Sequence, residues 1–140
     1  MVHALEKIQR LLKPGGMLID IHPTPEPAAL EVRVGRHTTP AGWLNETDDY
    51  EDYEHADRAI AAAVGNGLFR IERESTFEFV WYADSLAQLR EYLAEEWENA
   101  TIDELTAGRI EELLSTPEPD KEVIVREPIR IARLKPLNKA

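Results

Sequence analysis

The stretch Leu11-Leu12-Lys13-Pro14-Gly15-Gly16-Met17-Leu18-Ile19-Asp20-Ile21-His22-Pro23 decides how this chain is read. It has the form of a helix end, a tight turn and a short strand. Val2, Leu5, Ile8, Leu11 and Leu12 recur at helical spacing and make one apolar face. Lys13 places a cation at the helix C-terminus, and Pro14 cannot continue the helix. Gly15 and Gly16 permit positive φ in the turn. Met17 to Ile21 is a mostly apolar run, the profile of a strand covered on both faces. It is expected to be the central strand.

Downstream, His22 to Pro27 holds three prolines in six residues, which makes it a stiff loop leaving the strand. Leu30, Val32 and Val34 alternate with polar residues, and Gly35-Arg36 offers a turn, so a small hairpin is expected. An acidic helix should follow, with Thr47 as N-cap, Asp48 and Asp49 in its first turn and Tyr50, Tyr53, Ala56, Ile60 and Val64 on its apolar face. Gly65-Asn66-Gly67 ends it. From Leu68 to Tyr82 the chain reads as extended, with Phe69, Ile71, Phe77, Phe79 and Trp81 in one pleat phase, broken at Arg73 and Ser75. Ser85 with Gln88, and Thr101 with Glu104, have capping-box spacing. They predict two helices joined as a hairpin. The last strand runs from Val123 to Leu134, with Pro128 marking a bulge or an unpaired edge. Residues 135–140 read as a tail.

Composition sets outer limits. At 140 residues the chain is long enough for one domain with its own core. It has no cysteine, which excludes disulfides and thiolate chemistry and fits the reducing cytoplasm, the expected location. A net charge of -11 repels phosphate backbones and anionic lipid, so neither nucleic acid nor a membrane surface is an expected partner. No apolar run is long enough to span a bilayer. The chain opens inside its first helix, as a free-standing domain, a fragment or a short reading frame would.

The Leu11 to Gly16 segment, followed by a hydrophobic strand, resembles the R-x-L-K-P-G-G segment of class I S-adenosylmethionine-dependent methyltransferases. There it joins a helix to the fifth strand of a seven-stranded sheet. The element order is similar to the C-terminal half of that fold, whose final strand runs antiparallel and slots between the fifth and sixth. The resemblance covers residues 5–23 as a motif and the whole chain as a pattern. It implies an α/β, partial Rossmann-like domain over residues 1–134, with a small mixed sheet of about three main strands plus a hairpin and about four helices. Residues 83–120 form a helical insertion. The family's glycine loop, G-x-G-x-G, is not among the 140 residues. The resemblance therefore implies no cofactor for this chain alone, S-adenosylmethionine for a full-length parent, and methyl transfer to a small molecule only in that parent.

Ligands of open α/β sheets collect beyond the C-terminal strand ends, which singles out Asp20, His22 and Glu26 as substrate-binding candidates, with His22 beside a carboxylate as a general base. The plainer alternative is a strand-end cap. His37 and His55 have acidic neighbours at Asp48, Asp49 and Glu51, but no metal-ligand spacing, and read as a solvated acidic face. A sheet missing one neighbour leaves an open edge and an uncovered face. The expected cover is the 30–40 segment, a second copy or an N-terminal partner chain. A non-catalytic dimerisation module and a small-molecule binding protein are the other readings.

Overall fold

The computed structural model describes residues 1–47 and 49–137. In chain order the elements are α1 (Val2–Leu11), β1 (Leu18–Pro23), β2 (Ala29–Val34), β3 (His37–Trp43), β4 (Asn45–Glu46), α2 (Asp49–Gly65), β5 (Phe69–Ala83), α3 (Leu86–Glu96), β6 (Ala100–Thr101), α4 (Glu104–Leu114) and β7 (Lys121–Pro136). The class is α/β, with a mostly antiparallel five-stranded sheet and a separate β4–β6 pair. The chain divides into two compact units. One comprises residues 1–25, 50–77 and 129–140; the other comprises 26–49 and 78–128. The expected insertion, residues 83–120, falls wholly within the second. β5 and β7 run through both.

In the first unit β1 pairs antiparallel with the second half of β7, from Leu18 opposite Leu134 to Pro23 opposite Ile129. β5 also pairs with β7. The core gathers Leu5 of α1, Ala59, Ile60 and Ala63 of α2, Phe69 of β5, and Ala132 and Leu134 of β7. Alanines on α2 let that helix approach the strands closely. At its end Gly67 adopts φ +71°, and the Leu68 N–H returns to the Ala63 carbonyl, which satisfies one of the helix's last acceptors. Gly15, at φ +78°, makes the turn between α1 and β1.

The expectation of a central strand covered on both faces is corrected here. β1 starts at Leu18, lies at the end of the pairing order, and leaves Ile19 47% and Ile21 58% exposed. Leu18, Asp20 and His22 face inward instead. An apolar run shows that a strand can be buried, and it is silent on whether anything covers it. The hairpin did not supply the cover: it pairs with β7, not with β1. The last strand extends through Lys135 and Pro136, where the tail was expected to begin, and the Leu137 N–H donates to the Leu68 carbonyl. Residues 138–140 lie outside the described residues.

In the second unit β2 and β3 form the expected hairpin about Gly35-Arg36, with Gly35 at φ +58°. β2 pairs with β7 from Ala29 opposite Arg126 to Val34 opposite Lys121. Leu30, Leu44, Leu89, Ile110, Val123 and Val125 are fully buried together. Each contributes roughly 1.5–3 kcal/mol by leaving water. Arg33 is held by Asp120 and Glu122, and Arg126 by Glu31 and Glu78. Pro128 finds a place because pairing with β2 stops at Arg126 and pairing with β1 starts at Ile129. In these two ladders its missing N–H is not needed.

Ser85 caps α3 as expected, accepting from the Gln88 N–H. The cap of α4 is Asp103, not Thr101: its carboxylate accepts from the Thr106 N–H at 2.7 Å, and Thr101 belongs to β6. Both residues satisfy the sequence rule, and the pairing of Thr101 with Asn45 removes it from the contest. The Thr106 N–H, the largest influence, holds the Asp103 carboxyl below its usual range. α2 begins at Asp49; the expected cap Thr47 donates its N–H to the Asn99 carbonyl, and Asp48, expected in the first turn, lies outside the described residues.

Glu127 is pushed the other way. Burial first, and the nearby Asp49 carboxylate second, raise its carboxyl above the usual range. A carboxyl raised on folding favours the folded state while protonated, and that contribution is lost as pH rises through the folded value. Glu127→Gln is therefore expected to raise the melting temperature at neutral pH. The gain should shrink towards the ordinary carboxylate range; a pH series of thermal melts, with a gain that instead grows on acidification, would contradict the assignment.

Candidate functional site

Alternation along β1 turns Asp20 and His22 to the same face as Leu18. The register with β7 then places Arg130 directly opposite His22. α2 supplies Asp57 and β5 supplies Glu74, so four elements of the first unit meet in one chain of polar contacts. His22 Nδ1 lies 2.7 Å from Asp20 Oδ2, and His22 Nε2 lies 2.8 Å from Asp57 Oδ1. Arg130 donates through Nη1 to Asp57 Oδ1 and through Nη2 to Glu74 Oε2, both at 2.8 Å. The His22 side chain is only 10% exposed.

These distances fix what the ring does. A carboxylate oxygen is an acceptor, so each imidazole nitrogen faces an acceptor and the ring bridges Asp20 and Asp57. Three carboxylates thus surround the His22 ring and the Arg130 guanidinium. Glu74, the strongest influence, and then Asp57 raise Arg130 above its ordinary value, against the opposing effect of burial. With both nitrogens engaged by carboxylates, neither is open to a substrate. A general-base role would require it to give up one carboxylate first, so the arrangement works as an ionic tie among β1, α2, β5 and β7.

Of the expected trio, Asp20 and His22 are brought together in the first unit. Glu26 is exposed, belongs to the second unit and makes no ion pair among the described residues. Asp57, Glu74 and Arg130 were not foreseen. His37 and His55 fall in different units; the His55 ring lies 3.9 Å from Glu51. Among the described residues no group of three or more His, Asp or Glu side chains is arranged to hold a metal.

In the first unit, Ile19 and Ile131 line a shallow hollow of about 220 Å³ together with Arg73, Glu74, Ser75 and Arg133. Ile21, and Phe77 at 44% exposure, are also open to solvent. No helix of the described residues is long and apolar enough to cross a membrane.

No protein-family model matches the chain, and no curated protein or solved structure matches it.

Proposed function

We propose that this chain is a methyltransferase-like partial domain, the C-terminal portion of a Rossmann-like fold whose parent transfers a methyl group from S-adenosylmethionine to a small molecule. One observation carries the reading. β7 pairs with both β1 and β5 and runs antiparallel to β1, which resembles the family's last strand, antiparallel between the fifth and sixth. The Lys13-Pro14-Gly15-Gly16 turn, standing between α1 and β1, supports it. So does the packing of α1 and α2 with Leu18, Ala132 and Leu134.

On this reading the Asp20–His22 end of β1 belongs to the acceptor side, and the domain does not methylate alone. A cytoplasmic setting goes with it. Calorimetry of the 140-residue chain with S-adenosylmethionine is expected to give no heat. A polypeptide extended by the segment encoded upstream should carry a G-x-G-x-G loop and bind. Heat from the chain alone, or an upstream segment without that loop, would sink the reading.

A second reading, a homodimerisation or partner-binding module, is favoured by the free edge of β1 and by the exposure of Ile19, Ile21 and Phe77. It expects a dimer, or a complex with an N-terminal partner chain, by light scattering at micromolar concentration. A monomer that captures no partner counts against it.

A further inference from the structure

The chain carries 27 acidic residues, yet one groove of the first unit is lined by none among the described residues. It lies at the turn between α1 and β1 and against the end of β7, with a volume of about 420 Å³. Three cations border it: Arg10 and Lys13 from the end of α1, and Lys135 from β7. None of the three makes an ion pair among the described residues, whereas Arg33, Arg58, Arg126, Arg130 and Arg133 all do. The rest of the lining is proline, leucine, glycine and Gln9. Gln9 is itself fixed, donating to the carbonyls of Leu68 and Leu137 at 2.8 Å. That ties α1 to the strand end bearing Lys135.

Cations at a helix C-terminus complement its carbonyls, which accounts for Arg10 and Lys13. It does not account for Lys135, which arrives from another element, or for the lack of any carboxylate among the described residues that line the groove. Like charges held together without a counterion raise one another's free energy, and an anion placed between them removes that cost. Arg10 offers a planar fork suited to an oxyanion, and Lys13 and Lys135 offer compact point charges. We propose that this groove binds a compact, multiply charged oxyanion of the phosphate or diphosphate class between Arg10, Lys13 and Lys135. Net charge governs long-range repulsion from extended polyanions; a small anion answers to the local field. The groove opens before Leu18, and His22 lies near the other end of β1, roughly 15–20 Å away at strand rise. The anion is therefore not the ligand of the Asp20–His22 end.

Inorganic pyrophosphate is the probe, titrated at constant ionic strength made up with sodium chloride, with amide NMR shifts as the readout. The amides of Gly15 and Gly16 are expected to shift saturably. Lys13→Ala combined with Lys135→Ala should weaken the apparent affinity about tenfold, a change of about 1.4 kcal/mol. Both lysines are exposed, so the fold should survive. Arg36→Ala combined with Arg90→Ala removes equal charge at exposed positions outside the groove and should leave the affinity unchanged. Absence of a saturable shift at Gly15 and Gly16 overturns the proposal. So does an equal loss in the control pair, which would make the attraction one of general charge.

Discussion

Gly42→Ala is expected to destabilise the protein by about 3 kcal/mol, read as a lowered denaturation midpoint. Two costs combine. Gly42 sits at φ +151°, where an L side chain is strained, at about 1–3 kcal/mol. A Cβ at that position would also lie 2.6 Å from Thr106 Oγ1 and 2.8 Å from Thr106 Cγ2. Thr106 is 7% exposed on α4 and has little room to yield; overpacking of this kind costs about 1–3 kcal/mol. The register explains why glycine stands there. Leu30 pairs with Gly42 but Glu31 pairs with Pro40, so Ala41 is an extra residue in β3 and the strand is bulged. The bulge turns the Gly42 backbone towards α4. Thr106→Ala in the same chain should recover part of the loss, the contact, and leave the backbone strain. A single variant within about 0.5 kcal/mol of the parent, the range of ordinary surface changes, would show that the close approach is not held in solution.

Where the sequence could be read correctly, the physics was local. Lys13 to Gly16, Gly35-Arg36 and the Ser85 cap each act within a few residues, and their chemistry specifies a turn or a helix start wherever the chain goes. Thr101 and Asp103 show the margin: two side chains able to cap one helix, decided by a partner strand more than fifty residues earlier. Ile19 and Ile21 show the limit. A strand's composition records that burial is affordable, and the presence of a covering layer is decided elsewhere in the chain or outside it. The site follows the same division. Asp20 and His22 are two residues apart, so alternation placed them on one face. Asp57, Glu74 and Arg130 are joined to them only by the β1–β7 register and by the packing of α2, and no pattern within β1 encodes either.

Asp57→Ala is expected to cost about 2 kcal/mol, because one oxygen serves two donors. Asp57 Oδ1 accepts from His22 Nε2 and from Arg130 Nη1, each at 2.8 Å. Bonds to charged groups contribute roughly 1.5–3 kcal/mol each. The Asp57 side chain is 37% exposed, and water takes over part of both, which brings the sum down. Asp57→Asn keeps an acceptor oxygen and should cost less, about 1 kcal/mol. Arg130→Met acts in the opposite sense. It leaves Asp20, Asp57 and Glu74 without the Arg130 guanidinium, so the carboxylates repel. Introduced together, the two changes should cost less than their sum, since each removes the other's grievance; the double-mutant cycle measures that coupling. High salt should narrow the Asp57→Ala difference, because the network is partly open to water. The substitution also separates a tie from a base. In the parent both His22 nitrogens are committed to carboxylates, and in Asp57→Ala Nε2 is released. A role as general base would therefore be gained with Asp57→Ala, whereas a structural role can only be lost. An Asp57→Ala protein with an unchanged midpoint and an unchanged His22 ring signal by NMR would mean that the contact between α2 and β1 does not form in solution.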